Sequence, residues 1–247
     1  MTDYADPGPP AHTDPATSMF GTSITPSIGE VPVLSRRVLA DQVFESLTAM
    51  VMDHVVRPGE RMSIEGLAQQ LSVSPTPVRE ALARLEALGL AVKAPLRGYR
   101  ATPLLSRPEL DDLFDFRLLT EPWAAGRAAE RAGVEAAQLV DQVAAFDEAP
   151  REGYAHYRAL TEHDHRFHDK VMALAGNHHA RQAFERTHCH LHIFRLHYVQ
   201  QTGSTALDEH AIIARSIVAR NASEASEAMR AHLLASRDRL RSISRDL

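Results

Sequence analysis

Ser72-Val73-Ser74-Pro75-Thr76-Pro77-Val78-Arg79-Glu80-Ala81-Leu82 decides the fold of the N-terminal half. Ser72-Val73-Ser74 reads as a tight turn, and Ser74 or Thr76 is of a type that caps the helix to follow. Pro75 and Pro77 are tolerated only in the first turn of that helix. Val78, Ala81, Leu82, Leu85 and Leu88 then recur at helical spacing and predict one buried face. Arg79 and Arg84 project elsewhere. Upstream, Leu67, Ala68 and Leu71 make a short amphipathic helix opened by Ser63. Two short helices with so tight a link have the geometry that lays the second in a DNA major groove. Gly89 ends that helix. Leu90–Lys93 and Tyr99–Thr102 read as two strands, joined by Ala94-Pro95-Leu96-Arg97-Gly98. A basic hairpin tip of this kind suits contact with phosphates.

The 247 residues suffice for two modest domains. No run of about 18 apolar residues predicts a transmembrane helix. The N-terminus has neither a basic region nor an apolar core, so no secretory signal is expected. A lone Cys189 excludes an intrachain disulfide framework and suits the cytoplasm. The net charge of -5 is unevenly placed. Residues 1–30 carry four acids and no Lys or Arg, whereas residues 31–103 carry nine Lys/Arg against seven Asp/Glu. The positive charge therefore sits with the helix-turn-helix, and a dimer would double it.

Residues 1–33 are rich in Pro, Thr, Ser and Ala without periodicity and read as a disordered tail. Residues 34–103 form the first domain, opened by a helix over Arg37–His54. Residues 104–247 stay helical: Arg107–Ala132, Val134–Phe146, Glu152–Ala175, His178–Gln201, Thr205–Ala219 and Ala222–Ser244, with breaks at Gly133, Pro150, Gly176-Asn177, Gly203 and Asn221. The expected fold is mainly α, a winged helix-turn-helix followed by an all-α antiparallel bundle.

Twelve of the fourteen histidines follow residue 150. His163, His165, His178 and His179 fall on polar faces or in a loop. Asp164 and His168 instead lie one turn apart on the apolar stripe of Tyr157, Leu160, Phe167, Val171, Leu174 and Ala175. His210 shares a face with Ile213 and Ile217, and His232 with Ala225, Met229 and Ser236. A buried carboxylate is costly unless paired or ligating a cation. An Asp–His hydrogen bond with satisfied core histidines is one account. A site for Zn, Ni, Mn or Fe, built from three His and one Asp, is the other. His188, His190 and His192 alternate and cannot share one face; His192 or His188 is the expected cavity residue. Arg117 lies on the apolar face of its helix, either paired with Glu121 or clamping a ligand carboxylate. Arg195 is a second candidate for that clamp.

Two sets of residues carry a family resemblance. Pro58-Gly59, Leu67-Ala68, Ser74-x-Thr76-Pro77-Val78-Arg79-Glu80-Ala81-Leu82, Leu85-Glu86-x-x-Gly89-Leu90 and Gly98 resemble the winged helix-turn-helix of GntR-family transcription regulators. Asp164-x-x-Phe167-His168, Ala175-Gly176-Asn177, Glu209-His210 and His232-Leu233 resemble the FCD effector domain of the FadR-type subfamily. The resemblance implies operator DNA, a homodimer and a small organic-acid effector as partners. It implies Asp164, His168, His210 and His232 as ligands of a divalent metal, with Zn, Ni or Mn foremost. It supports Arg79 on the DNA surface, where the residues themselves add Ser74, Thr76, Pro77, Arg84, Arg97, Gly98 and Arg100, and it supports Arg117 at the effector, where helix position adds Arg195 and His192 as candidates. Two departures are Pro75, where the family usually has Arg, and the region of Glu65-Gly66, where a second family arginine has no clear counterpart, so the operator sequence does not carry over. The expectation is a non-enzymatic regulator, a repressor released by its effector. The alternatives are a metal-dependent hydrolase on a helical bundle and a regulator whose metal is purely structural.

Overall fold

The computed structural model describes residues 34–94, 98–146, 154–197 and 204–243. The expected tail 1–33, Arg97 and the breaks at Pro150 and Gly203 lie outside the described residues. None of the described helices is long and apolar enough to cross a membrane.

The N-terminal domain is built on α1 (Leu34–Met52), α2 (Ile64–Gln70) and α3 (Pro75–Ala87). Ala40, Val43, Leu47 and Val51 recur every three or four residues and bury one face of α1. They meet Val78, Ala81, Leu82 and Leu85 of α3, all fully buried. Ser63 caps α2 by accepting from Gly66 N at 3.2 Å. Ser74 occupies the N-cap of α3 with Pro75 next, but its side chain makes no capping bond. The wing pairs β2 (Ala91–Ala94) with β3 (Gly98–Ala101), antiparallel. A third strand that the sequence reading missed, β1 (Arg61–Met62), pairs with the other edge of β3. It is only two residues long, too short for an alternation to show.

The second domain is a helical bundle: α4 (Arg107–Glu130), α5 (Ala137–Ala144), α6 (Tyr154–Leu174), α7 (His178–Thr187), α8 (Cys189–His197), α9 (Ser204–Val218) and α10 (Ala222–Ile243). Ser106 opens α4, its N–H and hydroxyl both donating to Glu109 Oε2 at 2.8 and 2.6 Å. α10 runs along α4 and α9 and is tied to α4 where Arg241 Nε donates to Asp111 Oδ1 at 2.7 Å. α7 is tied to α6 by a bidentate Arg181–Asp169 pair, both bonds 2.8 Å.

Two expected helices differ. Val134–Phe146 begins as a 3-10 turn over Val134–Ala136 and becomes α-helical only at Ala137. The single helix expected over His178–Gln201 is two, α7 and α8, because His188 adopts a left-handed conformation (φ 44°, ψ 32°). The break turns α8 so that Cys189, Ile193 and Leu196 enter the bundle core while Leu191 and Phe194 pack on the winged domain.

Candidate metal centre

Three helices converge on one point. α6 supplies Asp164 and His168 one turn apart, α9 supplies His210 and α10 supplies His232. One donor atom from each lies within 4.8 Å of the others. His168 Nε2 and His210 Nε2 are each 3.6 Å from Asp164 Oδ1. The three imidazoles are almost fully buried, whereas the Asp164 side chain is 20% exposed and is the least enclosed of the four.

Each imidazole is oriented from behind. His168 Nδ1 donates to Glu121 Oε2 at 2.5 Å, and His232 Nδ1 donates to Glu209 Oε2 at 2.6 Å. Glu209 is itself held by Arg239, at 2.8 and 3.0 Å. His210 Nδ1 lies 3.3 Å from His163 Nε2. With Nδ1 engaged outward, Nε2 is left to face the centre, as outer partners of metal-binding histidines arrange it.

The ionisation states suit ligands. Burial would raise the Asp164 carboxyl, but His168, Arg117 and His232 outweigh it and hold it low, as carboxylate. Burial pushes His210 well below the usual histidine value, with His232 and His168 adding to it. Burial also lowers His232, against the Glu209 hydrogen bond. A carboxylate with neutral imidazoles is the form a cation binds. The fit is sharpest at His210 Nε2, which is buried and makes no hydrogen bond among the described residues. An orphaned nitrogen beside a carboxylate is accounted for by a cation between them.

Arg117 borders this group from α4 and takes the paired alternative. Its Nε donates to Glu121 Oε1 at 2.5 Å, and its Nη2 is 3.4 Å from His168 Nε2. Burial lowers the guanidinium, but Glu121, Cys189 and Asp164 together outweigh it and hold it charged, while Glu121 is held down to about 2 despite its own burial, by Arg117 and His168.

Comparison with known proteins places this geometry. Residues 39–100 match the bacterial regulatory proteins of the gntR family, and residues 112–235 match the FCD domain. The chain belongs to the GntR family of bacterial regulators with an FCD domain. It is 29% identical over 194 residues to the HTH-type transcriptional repressor GlaR of Escherichia coli, covering 72% of this chain and 84% of that protein. It is 35% identical over 129 residues to the Nta operon transcriptional regulator of Aminobacter aminovorans, covering 52% and 60%. Its fold is that of Escherichia coli McbR/YncC, with a TM-score of 0.64 at 19% identity over 83% of this chain and 97% of that one. The relatives are transcription regulators, not enzymes, which removes the hydrolase alternative.

In this GntR-family chain α3 is the second helix of the helix-turn-helix. Ser74, Thr76 and Arg79 are exposed and Pro77 half-buried at its N-terminal half. Arg79 is 4.0 Å from Glu65, a loose pair between exposed side chains. At the wing, Gly98 has φ +81°, and Arg100 donates to Gly59 O at 3.1 Å. Arg84 does not face the same way. Its Nη1 donates to Asp41 Oδ1 at 2.7 Å and its guanidinium lies 3.8 Å over the Phe44 ring, bracing α3 on α1.

Arg195 and His192, expected at the effector, are elsewhere as well. Arg195 donates to Thr102 and Pro103, between the domains, and His192 lies against Gly89. The turn at His188 is the cause, since it points that face of α8 toward the winged domain. His163 and His165 do not sit on polar faces: His163 is 2% exposed, and His165 stacks on His190 with ring centroids 3.8 Å apart. α6 is covered by α5 and α8 as well as by its main partners, so its buried arc is wider than one stripe. Glu209 and His163 were missed as supporting residues, because an outer partner leaves no periodic signal of its own.

Proposed function

We propose that this chain is a metal-containing, ligand-responsive transcription regulator that binds operator DNA as a homodimer in the cytoplasm. The observation that carries the metal reading is the set of four donors with Nδ1-anchored imidazoles and an unpartnered His210 Nε2. Asp164, His168, His210 and His232 hold the ion. When bound, a Zn-, Ni- or Mn-type ion supplies a Lewis-acidic point that attracts carboxylate oxygens, which favours a small organic acid as effector. Such an acid reaches the ion from the partly exposed side of Asp164. Arg117 adds positive charge beside the site while remaining anchored to Glu121.

At the other end, Arg79 and Thr76 meet the major groove, Ser74 and Pro77 set the entry of α3, and the wing residues Arg97, Gly98 and Arg100 approach phosphates. Two recognition helices in a dimer require half-sites about 34 Å apart. The effector acts by binding the DNA-competent and incompetent arrangements unequally, and release of DNA on binding makes the protein a repressor. GlaR carries the description of repressor, in keeping with this direction. The near-complete burial of three ligands also supports a second reading, an ion that only stiffens the bundle.

Elemental analysis of the purified protein and a thermal-shift screen of small carboxylates test the proposal together. One equivalent of metal per chain, lost in His210→Ala, is expected, with at least one carboxylate raising the melting temperature only when metal is present. No metal on purification and no uptake on titration sinks the metal site. Metal without any carboxylate response leaves the structural reading.

A further inference from the structure

α8 packs against both domains within nine residues. On the bundle side His190 stacks on His165, the neighbour of Asp164, and Cys189, Ile193 and Leu196 are core residues. On the other side Leu191 and Phe194 pack on the winged-domain core. Arg195 sits between, 1% exposed and among the largest fully buried side chains of the described chain. Its Nη2 donates to Thr102 O at 2.7 Å and its Nη1 to Thr102 Oγ1 at 2.9 Å. Thr102 Oγ1 in turn donates to Gly89 O at 2.8 Å, and Thr102 N donates to Leu90 O at 3.0 Å. Gly89 lies two residues past the end of α3, in a left-handed turn with φ +71°. A Cβ on Gly89 would stand 3.2 Å from His192 Nε2, so α8 lies directly against that turn.

We infer that Arg195 is a positioning residue that fixes the C-terminal end of the recognition helix to the bundle, through Thr102. The chemistry supports a specific role over filler packing. A buried guanidinium is costly unless its donors are satisfied. Here both terminal nitrogens, Nη1 and Nη2, are engaged by the residues that follow β3 and join the two domains, Thr102 and Pro103. Charge-assisted bonds of this kind are about twice as strong as neutral ones and are directional, so they hold an orientation that apolar contact alone would let slide. A shift of α8 against α6 is therefore passed to α3 as a change of angle. This inference rests on the regulator reading for its purpose, but not for its geometry.

The test uses the full chain and a duplex selected by the wild-type protein from a random pool. In Arg195→Ala, amide exchange over residues 89–102 should accelerate about tenfold, the scale of losing a charge-assisted bond. Exchange in α9 and α10, and the stoichiometry of Zn2+ uptake, should match wild type. Duplex affinity should fall about tenfold, with an unchanged slope against log salt because no phosphate contact is lost. The ratio of duplex affinities with and without Zn2+ should move toward one. Thr102→Val should reproduce these effects, and Thr102→Ser should behave as wild type. Unchanged exchange over residues 89–102 in both Arg195→Ala and Thr102→Val overturns the inference, as does faster exchange spread evenly over both domains. A wild-type protein whose duplex affinity ignores Zn2+ and carboxylates defeats the regulator reading instead, and the exchange data still decide the role of Arg195.

Discussion

Asp53, just past the end of α1, has a buried Oδ1 with no hydrogen-bond partner among the described residues. Burial raises its carboxyl to about 6. Its folded value thus lies above the unfolded one, so the folded state holds the proton more tightly. The stabilisation this gives is complete below about pH 4 and is lost as pH rises through about 6. Its ionised form also stands at the negative end of the α1 dipole. Asp53→Asn should therefore melt higher than wild type at pH 7.5, with the gap closing toward pH 4. Equal melting curves at pH 7.5 would show that the carboxylate is relieved by solvent. At the candidate metal centre the corresponding single-residue prediction concerns Glu209, which orients His232. Glu209→Gln should lower Zn2+ affinity by about ten- to hundredfold, the usual scale for an outer partner. Isothermal titration decides it, and wild-type affinity would mean that His232 is oriented by packing alone.

At the scale of elements, α3 offers two arginines with different tasks. Arg79 projects from the exposed face, whereas Arg84 is engaged by Asp41 and Phe44. Arg79→Ala should weaken binding to a selected duplex and reduce the salt slope by about one if it meets a phosphate. Arg84→Ala should leave that slope alone and cost about 0.2–1 kcal/mol of stability through the exposed pair. Equal effects on DNA binding would place both on the same surface. The sequence distinguished the buried face of α3 well, because Val78, Ala81, Leu82 and Leu85 meet a single partner surface and so repeat cleanly. It did not distinguish Arg79 from Arg84, since both fall off that stripe and only Asp41 and Phe44, some forty residues away in the chain, separate them. The same reasoning applies to the metal centre. Asp164, His168, His210 and His232 were legible as polar residues on apolar faces. α8 was not, because a helix buried against two domains has no polar face to set its phase, and the left-handed His188 that divides it from α7 is not a glycine.

Among the described residues there are two separate cores. One gathers α1, α2, α3 and the wing, and the other gathers the bundle around Phe114, Phe167 and Ile213. The candidate metal centre belongs wholly to the second, yet Arg195 and Thr102 bind the two together. Ion removal should therefore act first on the bundle. An ion present at a thousandfold over its dissociation constant stabilises by about 4 kcal/mol. For a bundle of this size that corresponds to a fall in melting temperature on the order of 10 °C on chelation. Calorimetry with and without chelator reads this directly, and a melting temperature that does not move removes the metal centre from the account. Circular dichroism at 25 °C then separates the two roles an ion could have. Helicity that survives chelation, with duplex affinity altered, requires that the ion biases an already folded bundle and that α8 carries the bias to α3. Helicity that collapses makes the ion a structural part, because the Asp164–His210 cluster would then be unable to hold α6, α9 and α10 together without it.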